Sequence, residues 1–362
     1  MLSISLVTLG DPGQLTGGYL YHRRMADDAV NHDAAVRFVS FPAAPFPTPA
    51  LWGRHVWRHA TDAADVVLVD SIAAAFLGPW RRFARRDPAV PLVAIVHQPP
   101  GGIDYGPVRA APQAVLDRML YRAAARIIAA SEALARDYEA QGFDAQKIVV
   151  VPPGRDVAPS QPGVTGVPRL DLRAGRRAAL LCVGNWVERK GILPLLEAFA
   201  TLPGNGATLH LVGRDDVEPA YAARVRARLA NDDLTGRVTV HGPVARERVA
   251  ELYAAADVFV LASTKEPYGT VYGEAMAAGL PVVGWRSGNL PHLASDGTEG
   301  VAVEPGDVAA LAAALRRLVE DDAYRQQLAA AARTKAESFP TWAESAARLF
   351  GVLREVAAGG KA

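Results

Sequence analysis

The stretch KEPYGTVYGEAMAAGLPVV, Lys265 to Val283, sets Glu266 and Glu274 apart with seven residues between them and closes on Gly-Leu-Pro. It follows DVFVLAS, an apolar β-branched run that predicts a strand, so 264–267 is the loop at that strand's carboxyl end. Pro267 suits the first turn of a helix. That helix is expected to begin near Tyr268 to Thr270, run through Glu274 and Met276, and stop at Gly279 before Leu280-Pro281 opens the next strand. Eight positions along one straight helix would leave the two carboxylates about 80° apart. With Glu266 in the loop and Glu274 about a turn inside the helix, both can face the same side, with the unpaired N–H groups of the helix N-terminus between them.

The same alternation extends outward in both directions. SISLVTL, VRFVSF, DVVLVD, PLVAIVH, RIIAAS and KIVVVP are separated by helical patterns, and after Arg177 the rhythm resumes with AALLCVG, TLHLVG, VTVHG, DVFVLAS and PVVGW. This is the signature of α/β architecture with parallel sheets, and 362 residues exceed a single ordinary core. Two doubly wound, Rossmann-like domains are expected. Residues 1–155 form the first, the Pro-, Gly- and Arg-rich stretch 156–177 the linker, and 178–340 the second, with a C-terminal helix over 341–362. The tail FPTWAESAARLFGVLREVAA puts Trp342, Ala346, Leu349 and Val352 on one stripe. A formal charge of +1 offers no global field for nucleic acid or anionic lipid. Cys182, the only cysteine, excludes an internal disulfide framework. No stretch reads as a signal peptide or reaches the roughly 18 apolar residues of a membrane span, so a cytoplasmic protein is expected.

Open doubly wound sheets hold ligands outside the carboxyl ends of their strands, which directs attention to the loops there. After the first strand, Gly17 and Gly18 enter a helix and would let backbone N–H groups approach an anion; a plain turn is the alternative. G-x-G-x-x-G is absent, and VRFVS carries no acidic residue for a dinucleotide ribose. His97 ends PLVAIV before Pro99, Pro100, Gly101 and Gly102, and either projects from the strand end or bonds to a loop carbonyl. Lys190, with Arg189 beside it, sits in the loop of LLCVGNWVERKGILPLLEAFA, placed to neutralise a phosphate or simply solvated. Hydroxyl-binding carboxylates flanking an anion site fit a nucleoside-diphosphate sugar; two glutamates on a helix surface are the alternative.

These residues resemble the retaining glycosyltransferases of the GT-B fold, family four. The likeness runs through the early GG, HQ after the fourth strand, AASEALARDY, KIVVVPPGRD, VGNWVERKG, LVGRD, the whole of VHGPVARERVAELYAAADVFVLASTKEPYGTVYGEAMAAGLPVVGWRSG, and EPGD. It implies two Rossmann-like domains facing each other across a deep cleft, with the C-terminal helix packed back on the first. It also implies that Glu266 holds hydroxyls of the donor sugar and Glu274 those of the ribose. The N–H groups of Tyr268, Gly269, Thr270 and Val271, with Gly17 and Gly18, would cradle the diphosphate. Lys190 would stabilise its developing charge, and His97 would lie over the sugar near its 6-hydroxyl. No cofactor and no metal are implied, and D-x-D is absent. The donor would be UDP- or GDP-linked. Transfer with retention would proceed by front-face attack, the leaving phosphate taking the acceptor proton, so the glutamates position rather than act as a hydrolase pair. Asn185 stands where the family often has Arg; Arg189 and Arg214 are the candidates to replace that charge.

For the acceptor, a small molecule, a glycan or a lipid-linked group all remain open, and FPAAPFPTPALWGRHVW is a candidate pocket lining. GPWRRFARRDP sets Trp80 and Phe83 among Arg81, Arg82, Arg85 and Arg86, which suits either a solvated helix end or peripheral contact with anionic lipid. Two other functions fit the resemblance: a nucleotide-sugar 2-epimerase of the same fold, and a catalytically silent sugar-nucleotide-binding subunit.

Overall fold

The computed structural model describes residues 1–13, 17–80, 90–155 and 170–359. Phe83 and the four arginines around it lie outside the described residues, as does 156–169 of the expected linker. The chain divides into two units, Met1–Gly154 with Pro340–Ala362, and Arg155–Phe339.

In the first unit, β1 (Leu2–Leu9), β2 (Ala34–Phe41), β3 (Val66–Asp70), β4 (Leu92–Val96), β5 (Arg126–Ala129) and β6 (Ile148–Val150) form one sheet in the order β2-β1-β3-β4-β5-β6. Every pairing is parallel, with Ile4 opposite Val36 on one side and Val66 on the other. All residues of β3 and β4 are buried, as expected of central strands covered on both faces. The order turns back between β1 and β3, so the switch point of this sheet lies between their carboxyl ends.

Helix Trp342–Gly359 completes this unit from the far end of the chain. Its buried stripe runs through Ala346, Leu349, Phe350, Leu353 and Val356, while Trp342 and Val352 are only half-buried, which corrects the stripe expected from the sequence. Phe350 stacks on His32 with ring centroids 5.1 Å apart, and Trp342 meets Tyr21 edge-on at 6.1 Å. Gly154 makes the start of this helix possible: a methyl group there would come within 2.2 Å of the Trp342 backbone nitrogen.

In the second unit, β7 (Ala178–Val183), β8 (Ala207–Val212), β9 (Val238–Gly242), β10 (Val258–Leu261), β11 (Val282–Trp285) and β12 (Gly300–Val303) are ordered β12-β11-β10-β7-β8-β9, again all parallel. This is the doubly wound order with its switch point between β7 and β10. Strand β12 was not among the expected strands; four residues between Glu299 and Glu304, one of them a glycine, carry little periodicity, and the strand takes shape at the sheet edge by pairing with β11. Residues 170–177, read from sequence as linker, are built into this unit. Leu172 is buried in its core, and Arg173 pairs with Asp257.

One buried carboxyl in the first unit titrates in an unusual range. Asp117, on helix Pro107–Ala123, accepts the Gly101 N–H at 2.8 Å and so anchors the loop that follows His97. Burial pushes its carboxyl up to about 7, the Gly101 hydrogen bond offsetting only part of the effect. Because folding favours the protonated form, its contribution to stability is present below the unfolded value near 4 and is lost as pH rises through about 7. Asp117→Asn keeps an oxygen for Gly101 and removes the titration. The variant should therefore melt higher than the wild type at pH 8, with a smaller difference at pH 5; equal differences at both would refute the assignment. Gly154→Ala should destabilise by about 1–3 kcal/mol through overpacking, whereas Gly351→Ala, in the same C-terminal helix with nothing within 4 Å of the added methyl, should stabilise by about 0.5–1 kcal/mol. Thermal melts of the pair would check both signs.

Candidate functional site

The switch point of the second sheet carries most of the residues singled out from sequence. The loop after β7 supplies Asn185, Arg189 and Lys190, and the loop after β10 supplies Glu266, Tyr268 and Gly269. The turn Glu188–Lys190 ends on Gly191, which has φ +66°. A side chain there would bring a Cβ within 1.9 Å of the Ala262 carbonyl oxygen, so only glycine lets the turn press against the end of β10. The Arg189 carbonyl then accepts from Thr264 N–H at 2.8 Å and from Ser263 Oγ at 3.0 Å, stitching the two loops together.

This stitching brings Lys190 and Glu266 into an ion pair between side chains that are both about nine-tenths buried. The Arg189 guanidinium lies 4.0 Å from the same carboxylate and donates to the Lys265 carbonyl at 3.3 Å. The Glu266 backbone is fixed from a third loop, after β11: Asn289 N–H donates to the Glu266 carbonyl at 2.9 Å, and Asn289 Nδ2 to the Tyr268 carbonyl at 3.0 Å. Gly288 permits that approach, since a Cβ on it would come 2.4 Å from the Glu266 oxygen. Sequence reading passed over Asn289; its signal was the glycine before it at the carboxyl end of a predicted strand.

Helix Thr270–Ala277 starts at Gly269, whose φ of +76° forms the N-cap. Its first backbone bonds run from Tyr272 and Gly273 to the Gly269 carbonyl, so the N–H groups of Thr270 and Val271 have no acceptor within the helix. Thr270 Oγ1 is buried with no hydrogen-bond partner among the described residues. Glu274, one turn further on, lies 3.4 Å from the Tyr253 hydroxyl and 3.8 Å from Arg246. Burial, and then the Glu274 charge, push the Tyr253 phenol well up, so it stays a hydrogen-bond donor. Tyr253 is a second residue that sequence reading missed, because it sits on the apolar face of an ordinary amphipathic helix.

Asn185 and Arg214 are engaged with each other, and Arg214 with Asp216, rather than with Glu266. The Asn185 side-chain oxygen accepts the Arg214 N–H at 3.1 Å, and the Arg214 guanidinium pairs with Asp216 at 2.9 Å, largely in solvent. Arg189 is therefore the second cation beside Lys190. Cys182, at the end of β7, has its thiol pushed up to about 12 by burial and is chemically quiet.

In the first unit, Gly17 and Gly18 open helix Gly17–Asp28, and His97 follows β4. The two meet: a Cβ on Gly18 would rest 3.5 Å from His97 Cδ2. His97 also lies edge-on to Tyr21 and to His22, with ring centroids 5.2 Å and 4.9 Å away. Beneath it, His22 Nε2 is 3.0 Å from Asp70 Oδ2. Neither His22 nor Asp70 was picked out from sequence. The available signal was a carboxylate closing an otherwise apolar strand, VVLVD, where a buried charge needs a partner. Ligand atoms of His22, Asp70 and His97 all lie within 4.8 Å of one another, the grouping among the described residues that a metal ion would use.

Comparison with known proteins fits this geometry. Residues 171–335 match the family model of glycosyl transferases group 1, and residues 3–154 that of the glycosyl transferase 4-like domain. D-inositol 3-phosphate glycosyltransferase of Xylanimonas cellulosilytica is 34% identical over 245 residues, which is 64% of this chain and 58% of that protein. The lipopolysaccharide core biosynthesis glycosyltransferase LpsE of Rhizobium meliloti is 37% identical over 155 residues, 41% of this chain and 42% of that one. The match thus spans less than three fifths of the length of these curated relatives. Among solved structures, sucrose-phosphate synthase of Thermosynechococcus elongatus superposes with a TM-score of 0.82 at 21% identity, covering 99% of this chain and 100% of that one. HepE of Anabaena, in complex with UDP and glucose, gives 0.77 at 22%, covering 97% and 99%. These superpositions show the GT-B fold. Residues 171–335 thus belong to the glycosyl transferases group 1 family and residues 3–154 to the glycosyl transferase 4-like domain family, together in a GT-B fold.

Proposed function

We propose that this protein is a retaining hexosyltransferase that moves the sugar of a nucleoside-diphosphate hexose to an acceptor hydroxyl without a metal ion. The observation that carries this reading is the arrangement at the second switch point: Lys190 and Arg189 face Glu266, the open N-terminus of helix Thr270–Ala277 follows, and Glu274 lies a turn beyond. Cations and free N–H groups suit a diphosphate, and a carboxylate on either side suits sugar hydroxyls at one end and ribose hydroxyls at the other. HepE, of the same fold, was obtained with UDP and with UDP-glucose, which supports a uridine donor first and a guanosine donor second.

In this reading the Lys190–Glu266 pair is the resting arrangement. The donor's phosphate becomes the second partner of Lys190, and Glu266 turns its free lone pairs to the sugar. Arg189 supplies the second positive charge, in the role that Asn185 cannot fill. Thr270 Oγ1 donates to a phosphate oxygen alongside the N–H groups of Thr270 and Val271. Gly17, Gly18 and His97 keep the parts that the family resemblance gives them, at the diphosphate and near the sugar's 6-hydroxyl. The acceptor is a small molecule, a glycan or a lipid-linked group. As the bond to the anomeric carbon breaks, Lys190 stabilises charge on the departing diphosphate, whose oxygen takes the acceptor's proton.

A thermal-shift screen against UDP, GDP, ADP and their hexose conjugates, with and without Mg²⁺, tests the donor. A ligand at 100 times its Kd should stabilise by about 2.7 kcal/mol. No shift with any of them would overturn the reading; conversion of a sugar nucleotide with no acceptor would point to the epimerase, and binding without turnover to the silent subunit. Glu274→Ala should weaken nucleotide binding about tenfold or more, the worth of a charged hydrogen bond. Lys190→Ala should lower turnover by about 10²–10³-fold, and Glu266→Ala should impair use of the sugar nucleotide more than binding of the bare nucleotide. Calorimetry and initial rates distinguish the three patterns. Wild-type behaviour in all three variants would remove these residues from the site.

A further inference from the structure

We propose that Asp70 and His22 are positioning residues for His97, a buried brace that fixes the orientation and tautomer of its imidazole. Asp70 is 2% exposed and His22 1%, and neither is needed by the core as an apolar filler. A charge at that depth persists only where it is matched, and Asp70 is matched on both oxygens. Thr8 Oγ1 donates to Oδ2 at 3.1 Å, with His22 Nε2 3.0 Å from the same atom. Ser71 Oγ at 3.2 Å and Ile72 N–H at 3.3 Å donate to Oδ1.

The brace reaches His97 by two routes. Ser71 Oγ, which donates to Asp70, also accepts the His97 backbone N–H at 3.3 Å, so the carboxylate holds the main chain at the end of β4. The His22 ring, held by Asp70, lies edge-on to the His97 ring at 4.9 Å, while Tyr21 closes a second side and Gly18 leaves room on a third. Tyr21 is itself fixed, its hydroxyl donating to the Val151 carbonyl at 3.2 Å. An Asp70 oxygen lies within 4.8 Å of a His97 ring nitrogen with no hydrogen bond between them, so the carboxylate acts on the ring through its charge, which favours the tautomer whose N–H points toward it.

Burial, and then the neighbouring His22 charge, hold the His97 imidazole far below its ordinary range, at about 3. Burial alone would raise the Asp70 carboxyl, but the His22 charge and contact, with the Ile72 N–H, hold it below the ordinary carboxylate range. The Ser71 bond to its backbone and the His22, Tyr21 and Gly18 contacts around its ring fix where the His97 imidazole stands, and the charge of Asp70 on one side sets which nitrogen carries the proton. The functional half of this inference rests on the proposed transferase reading; the structural half does not.

The test therefore has two arms on the full-length protein. In the first, histidine-labelled protein is studied by long-range ¹H–¹⁵N correlation at pH 7, with His97 assigned through His97→Asn. A single neutral tautomer is expected in the wild type, and a mixture of tautomers in Asp70→Asn. In the second arm, Asp70→Asn should lower turnover of the sugar nucleotide found by the thermal-shift screen by about 10²-fold, while the Kd for the bare nucleotide stays within about twofold of wild type. His22→Gln, which retains a donor where Nε2 lies, should recover most of the turnover that His22→Leu loses; equal losses would indicate a packing role and overturn the proposal. An unchanged His97 tautomer in Asp70→Asn would overturn it as well, whatever the kinetics. So would a stoichiometric transition metal in purified protein whose removal by dipicolinate abolishes turnover, since the three side chains would then be its ligands. If no nucleotide binds, the transferase reading fails while the first arm still decides the brace.

Discussion

Two opposite charges drawn out of water, Lys190 and Glu266, are what the loops of the second sheet are arranged to support. Each alone would be costly at that depth, and together they tie the strand end at β7 to the strand end at β10 across the switch point. The supporting backbone is correspondingly constrained. Gly191 and Gly288 sit where any side chain would strike a carbonyl, and Asn289 binds the loop from the far side. Under the proposed function, the pair is the resting state that a donor phosphate displaces. A site built this way is preorganised before any ligand enters, since its dipoles and cations need little rearrangement.

The first unit solves a related problem with different chemistry. Its switch point, between β1 and β3, puts Asp70 at the end of a fully buried strand, with the loop into helix Gly17–Asp28 opposite. Here the buried carboxylate is matched by hydroxyls, one backbone N–H and an imidazole rather than by a lysine. Elsewhere in the same unit, Asp117 shows the opposite outcome: with fewer donors, burial prevails and the carboxyl holds its proton nearly to neutrality. The two aspartates differ in the number of partners within reach, not in depth.

Much of this was legible in the sequence. Strand runs with β-branched residues, the helix from Thr270, the glycine at 279 and the carboxyl-end loops follow from local pattern, because periodicity and turn chemistry are local properties. What was not legible depends on contacts between distant segments. Strand β12 exists only because β11 offers it an edge. Residues 170–177 look like linker until Leu172 finds the second core. Of the candidate site, Lys190, Glu266 and Glu274 stood out because charged residues in such loops are conspicuous. Asp70, His22, Tyr253 and Asn289 did not, since each looks ordinary until its partner, 21 to 48 positions away, is known.

The return of helix Trp342–Gly359 to the first unit makes the second unit an insertion in the first. Synthesis from the amino terminus therefore delivers the two halves unequally. The second unit is continuous in sequence and has all its strands once Phe339 has been made. The first, although started earlier, must wait with the faces that Ala346, Leu349 and Phe350 will cover still open to solvent. The half that begins first is the one that finishes last, and the apolar surface it leaves uncovered in the meantime is where a nascent chain of this kind is most exposed to aggregation or to chaperone capture.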